Sequence, residues 1–191
     1  MRLSLILNKK SKLKNSTLLK KMAKIGMFWG SSTDMTSLAS EGIQEEIQNF
    51  GHDIDSINIR DSGLEPILEY KNVIIGCPTW NVGELQDDWD LLYKDYQKLR
   101  FDNITGAFFG VGDQMGYNYN YLDAVGLLAR PFMENGGKLI GRWSIEGYEF
   151  DESVAVEGEE FLGLALDYDN QDTMSDERIK KWTSLIQGEF E

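Results

Sequence analysis

The sequence predicts an α/β fold: a doubly wound sheet of five parallel strands with helices on both faces. Three observations predict it. Short apolar runs alternate with longer stretches of helical periodicity, the pattern that right-handed β-α-β crossovers leave in a chain. The run Val73-Ile74-Ile75-Gly76 is too apolar for a strand with one wet face, so it belongs to a sheet covered on both sides. At 191 residues the chain can bury a substantial core without disulfides or structural metal, and no repeat, low-complexity tract or linker divides residues 22–191, so one domain is expected there.

Each element can be justified in turn. Ile25 to Trp29 is an apolar run ending at Gly30, the first strand. The hydroxyl-rich loop Ser31-Ser32-Thr33-Asp34-Met35-Thr36 leads into a helix in which Leu38, Ala39, Ile43, Ile47 and Phe50 recur at three- to five-residue spacing, and Gly51 offers a left-handed stop. Ile54, Ile57 and Ile59 mark the second strand, residues 73–76 the third and residues 106–110 the fourth. The fifth is divided between Lys138 to Ile140 and Phe161 to Leu166. A helix from Tyr121 to Met133 contains Pro131, and because an interior proline costs about 3 kcal/mol a kink or restart is expected there. In the closing helix Ser175 is the expected cap, Asp176 and Glu177 suit the positive end, and Ile179, Trp182, Leu185 and Ile186 form the apolar face.

Charge and composition narrow the function. Against 32 Asp and Glu stand 19 Lys and Arg, a formal charge of -13, which disfavours binding to a phosphate backbone and favours a basic protein partner over nucleic acid. Seven basic and no acidic residues precede Met22, so residues 22–191 carry -20. The basic stretch 1–21 reads as a disordered extension, or as the product of an upstream start codon used in place of Met22. A fragment of an organelle transit peptide is the second reading, and a secretory signal lacks its usual charged region and small-residue cleavage site. No run approaches the roughly 18 apolar residues of a membrane span. A soluble protein of the cytoplasm is expected, or of the chloroplast stroma if residues 1–21 belong to a transit peptide. Cys77, the only cysteine, reads as buried packing. His52, the only histidine, is expected to be solvated, and with one Cys and one His no metal site is expected.

Three loops carry the chemistry. The first, residues 31–36, puts short hydroxyls ahead of a helix N-terminus, where backbone N–H groups and the helix dipole hold phosphate; plain helix capping is the competing reading. It has no Gly-Lys-Ser/Thr end for a nucleoside triphosphate and no Gly-x-Gly-x-x-Gly for a dinucleotide, which leaves a monophosphate. The second, Cys77-Pro78-Thr79-Trp80-Asn81-Val82-Gly83-Glu84, sets an indole at a strand end, either as packing or as a plate for a flat ring. The third, Gly112-Asp113-Gln114-Met115-Gly116-Tyr117, supplies a second aromatic at the same sheet edge.

These motifs, with Ile25-Gly26-Met27-Phe28, Phe109-Gly110-Val111 and Gly163-Leu164-Ala165-Leu166-Asp167 in the same order, resemble the long-chain flavodoxins over residues 24–190. The resemblance supplies the strand order 2-1-3-4-5, with FMN at the switch between strands one and three; flavodoxins are themselves the usual illustration of that rule. It implies one non-covalently held FMN. Ser31, Ser32, Thr33, Asp34, Met35 and Thr36 would wrap its phosphate, Trp80 would cover one face of the ring and Tyr117 the other. Thr79, Asn81, Val82, Gly83, Val111, Gly112, Asp113 and Asn120 complete the set, with Asp113 near the pyrimidine edge. In such proteins the carbonyl beside the Trp turns towards flavin N5 on reduction, which maps onto the Asn81–Val82 peptide; Asn tolerates positive φ. The segment Gly141 to Glu160 resembles the long-chain insertion and, being acidic, is expected to be solvated. Two departures stand out: where flavodoxin loops usually read Thr-x-Thr-Gly-x-Thr, this chain has Asp34 in place of Gly and Met35 after it.

The function implied is a monomeric low-potential one-electron carrier with no catalytic residue. Its partners would be ferredoxin-NADP reductase, photosystem I or a flavodoxin-dependent bacterial enzyme. The alternative is an FMN-dependent NAD(P)H:quinone reductase on the same fold, which needs a substrate pocket over the ring; a covering Trp80 and the strong acidity argue against it. A phospho-receiver domain would need acids after the first strand and an Asp after the third, where this chain has Ser31-Ser32-Thr33 and Cys77-Pro78-Thr79.

Overall fold

In the computed structural model, which describes residues 22–191, strand β1 (Lys24–Trp29) lies inside the sheet, one place in from its edge. The expectations for residues 1–21 lie outside the described residues. The chain continues through α1 (Met35–Asn49), β2 (Asp53–Asn58), a one-turn helix α2 (Ile59–Ser62), β3 (Asn72–Trp80), β4 (Glu84–Leu85), α3 (Asp87–Tyr96), β5 (Thr105–Val111) and α4 (Asp123–Glu134). It then forms β6 (Lys138–Ile140), β7 (Trp143–Ser144), β8 (Val156–Glu157), β9 (Glu160–Phe161), β10 (Leu164–Leu166) and α5 (Ser175–Ile186).

β1 pairs in parallel with β2 on one side and β3 on the other, and β5 follows β3. The free edge of β5 takes β6 opposite Thr105–Ala107 and β10 opposite Phe109–Val111, both parallel. The two short strands therefore share the fifth position, which reproduces the order 2-1-3-4-5 with an insertion between its halves. Period-two alternation fills both faces. Ile25 and Met27 of β1, Ile74 of β3 and Phe109 of β5 join Ile43 and Ile47 of α1 and Trp182 of α5 in one core. Phe28, Val73, Ile75 and Phe108 point the other way, into a core shared with Trp89 and Tyr96 of α3 and Leu128 and Phe132 of α4.

Several expectations are corrected. The second half of strand five begins at Leu164; Phe161 belongs instead to a three-stranded antiparallel sheet, β7-β9-β8, formed by the insertion. That insertion, which therefore runs on to Gly163, is more than solvated acid. Its carboxylates are exposed, but Ala155, Phe161 and Leu162 are buried, and Phe161 meets Tyr121 and Tyr148 edge-on. His52 is buried, not solvated: its Nδ1 accepts the Ala23 N–H at 3.1 Å and its ring lies edge-on to Phe190. Ser175 does not cap α5, because a 3-10 turn, Asp172–Met174, precedes it and Ser175 is already helical. Leu38 and Leu185 are exposed. Cys77 is buried as expected, and burial pushes its thiol up to about 12.

Pro131 does not break α4. A proline has no N–H to give the carbonyl four residues back, and that carbonyl, Leu127, instead accepts the Tyr93 hydroxyl at 3.2 Å. The next one, Leu128, accepts the Tyr96 hydroxyl at 3.0 Å. Two tyrosines of α3 thus serve the stretch of α4 that the proline disturbs.

Candidate cofactor-binding site

Because β1, β3 and β5 are parallel neighbours, the three loops that carry the chemistry leave one edge of the sheet side by side. The loop after β3 lies between the other two, and the crevice between β1 and β3 is the switch point, where successive connections turn to opposite sides and doubly wound sheets place their ligands.

The loop after β1 enters α1 through Asp34, whose φ of 64° and ψ of -11° are left-handed. Its side chain is exposed and makes no capping hydrogen bond, while its carbonyl accepts Leu38 N–H at 2.9 Å. The N–H groups of Met35, Thr36 and Ser37 precede the first intrahelical donor, so they face the loop uncapped. Ser31 Oγ and Thr36 Oγ1 are buried and have no hydrogen-bond partner among the described residues. Buried hydroxyls without partners are costly, and an oxyanion at the helix N-terminus would satisfy them. Ser32 Oγ accepts the Gln86 amide at 3.0 Å, and Thr33 and Met35 are exposed. Fully buried Gln86 braces the loop from 54 positions away; no pattern near it in the sequence marks it for that role.

The loop after β3 is a hairpin: Trp80 pairs with Glu84 and Thr79 with Leu85. Asn81 is left-handed at φ 45°, as the resemblance allows for, and its amide donates to Glu84 Oε2 at 2.6 Å. Val82 projects into solvent at 74% exposure. Gly83 adopts φ 85°, and a Cβ there would lie 2.5 Å from Asp123 Oδ2, so only glycine fits the turn. Thr79 Oγ1 accepts the Ala124 N–H at 3.1 Å, which ties the loop to the start of α4.

The loop after β5 begins with buried Val111 and Gly112, the latter against the Tyr121 ring. Asp113 Oδ1 accepts the N–H groups of Met115 and Gly116 and the Asn170 amide. Burial pushes the Asp113 carboxyl up, but those donors together outweigh it and hold the group below the ordinary carboxylate value. Buried Asp167, another residue whose position alone gave no hint of this role, accepts Gln114 N–H and the Gln114 and Asn170 amides, fixing the loop to the end of β10. Tyr117 is 50% exposed, and the Asn120 N–H donates to its carbonyl at 3.0 Å.

The aromatic side chains divide by use. Trp29, Trp89, Trp143 and Trp182 each donate their indole N–H to a protein acceptor. Trp80 makes no such bond, and neither Trp80 nor Tyr117 makes a ring-ring contact among the described residues. Both stand partly exposed at neighbouring strand ends, Trp80 closing β3 and Tyr117 in the loop after β5.

Fold and site together define a class: doubly wound α/β proteins with an uncapped helix N-terminus after the first strand and aromatic side chains to spare at the neighbouring strand ends. Within that class the chain belongs to the flavodoxin family, whose model matches residues 27–182. It is 44% identical to a flavodoxin of Synechococcus elongatus over 171 residues, 88% of this chain and 99% of that protein. It is 46% identical to a flavodoxin of Trichodesmium erythraeum, with the same coverage. Among solved structures, a Fusobacterium nucleatum flavodoxin bound to flavin mononucleotide matches with a TM-score of 0.84 at 28% identity, covering 89% of this chain and 100% of that one.

Proposed function

We propose that this protein is a low-potential one-electron carrier that holds FMN non-covalently at the β1–β3 crevice, within the electron-transfer, non-enzymatic role of its family. The observation that carries the siting is the uncapped N-terminus of α1 with two buried, unpaired hydroxyls, Ser31 Oγ in the loop before it and Thr36 Oγ1 in its first turn. In this reading those groups and the N–H groups of Met35, Thr36 and Ser37 bind the phosphate. Trp80 and Tyr117 sandwich the ring and keep water from its faces. Val111, Gly112, Asp113 and Asn120 border the site from the β5 side, and Asn81, Val82 and Gly83 from the β3 side.

Redox chemistry is supplied by the bound flavin, and the chain tunes it through stacking and charge. Asp113, held ionised by its three donors, and the acids of the insertion disfavour extra negative charge on the ring, lowering the final potential. Each 1.4 kcal/mol of such penalty corresponds to about 59 mV for one electron. The acidic surface is suited to basic redox partners, which we place among ferredoxin-NADP reductase, photosystem I and flavodoxin-dependent enzymes, met by a monomer in the cytoplasm or stroma. No helix among the described residues is long and apolar enough to cross a membrane.

Replacing Trp80 or Tyr117 with Ala and titrating the apoprotein with FMN tests the siting. Each change should weaken binding by about 0.5–1.5 kcal/mol beyond lost burial and alter flavin fluorescence. Unchanged affinity in both variants would remove the stacking assignment.

A further inference from the structure

We propose that Asp123 is a positioning residue that registers the insertion against the β3–β4 turn of the flavin site; the inference rests on the siting above. Asp123 opens α4 and is 5% exposed, with its carboxylate set against three places in the chain, two of them distant in sequence. Oδ1 accepts the N–H of Val154, in the insertion, at 2.8 Å. Oδ2 accepts the Asn120 amide at 3.0 Å. The same Oδ2 stands against Gly83, where it would be 2.5 Å from any added Cβ. The next residue, Ala124, donates its N–H to Thr79 Oγ1.

Further along α4 the insertion is held again. Arg130 donates to the carbonyls of Val154 at 3.0 Å and Val156 at 3.1 Å. Gly126 lets the Val154 backbone approach closely, since a Cβ there would lie 2.4 Å from the Val154 carbonyl oxygen. The first two turns of α4 therefore grip the insertion's backbone on one side and the Thr79–Gly83 hairpin on the other. An acid in the first turn of a helix is favourable for its dipole alone, but that role requires neither the Val154 bond nor the fit to Gly83.

A carboxylate joining these segments couples them energetically, and coupling is reciprocal. If placing the insertion helps hold the turn in its FMN-binding form, FMN must in return hold the Asp123–Val154 bond closed. The test has two parts. Asp123→Ala should weaken FMN binding to the apoprotein roughly tenfold, within the usual range of coupling between sites. Asp123→Asn, which keeps the shape but offers one acceptor oxygen to two donors, should fall between it and the parent. In the unsubstituted protein, FMN should slow amide exchange of Val154 more than that of Ile145, which is bonded within the insertion to the Glu159 carbonyl and reports its general stability. This second measurement needs no variant to fold.

An Asp123→Ala protein that melts earlier yet binds FMN within twofold of the parent, or equal slowing at Val154 and Ile145, would reduce Asp123 to a structural anchor and overturn the proposal. Trp80→Ala run alongside separates the two layers. Weakened binding there with an unaffected Asp123→Ala rejects the positioning role alone, whereas unchanged binding in both variants rejects the siting with it.

Discussion

At the scale of single residues the informative position is Asp34. The resemblance places a glycine there, and the backbone takes the left-handed angles that glycine adopts freely. The side chain turns outward and makes no hydrogen bond to the helix end, so the N–H groups ahead of the first helical bond remain open to an acceptor. On the proposed siting two effects oppose FMN: a strained non-glycine residue and a carboxylate near a phosphate. Asp34→Gly should tighten FMN by about 1–2 kcal/mol, most of it from the backbone, because an exposed charge is heavily screened. Riboflavin lacks the phosphate and serves as the control: the charge part of the gain should vanish there while relief of strain persists. Equal or weaker FMN binding in the glycine variant would make Asp34 a working part of the loop.

Among the elements, α4 shows how a locally forbidden sequence is tolerated. Pro131 leaves the Leu127 carbonyl without its helical donor, and the Tyr93 hydroxyl takes it up from α3. Tyr93→Phe should therefore cost about 1 kcal/mol in chemical denaturation, the worth of one hydrogen bond. Pro131→Ala returns an N–H to the helix, and in that background the loss of the hydroxyl should cost less. The difference between the two costs is the coupling energy of a double-mutant cycle. Equal costs in both backgrounds would mean that the tyrosine is not compensating the proline. The sequence exposes the conflict at Pro131 but not its resolution, which comes from a helix some forty residues earlier.

For the whole molecule the decisive quantity is charge. A net -20 on residues 22–191 sets up a field that accelerates encounter with a basic partner and weakens with salt. Association rates measured by stopped flow should fall as the Debye length shrinks from about 10 Å at 0.1 M to about 3 Å at 1 M. A flat response would take long-range steering out of the account. The insertion contributes to this field from its rim, since Glu146, Glu149, Asp151, Glu152, Glu157, Glu159 and Glu160 are all exposed, while Tyr148, Phe150, Ala155 and Val156 pack against the core.

By itself the sequence determined what is local and periodic. The five parallel strand positions, though not every strand end, the helical stripes, the hydroxyl loop, the indole at the end of β3 and the acid excess were legible in runs of a few residues, because backbone geometry imposes its periods on whatever is buried; the short antiparallel strands β4, β7, β8 and β9 were not. The resemblance added the strand order. Tertiary structure alone decided which polar groups meet. Gln86 reaches Ser32 across 54 residues, Asp123 reaches Val154 across 31 and His52 reaches Ala23 across 29. A buried donor needs an acceptor within about 3 Å, and the chain supplies it from whichever segment the crossovers bring alongside, so sequence spacing carries no trace of the partnership. For the same reason the insertion, acidic in composition, holds a buried Phe161: its few apolar residues had a surface to cover, and only the folded sheet edge and α4 reveal where that surface lies.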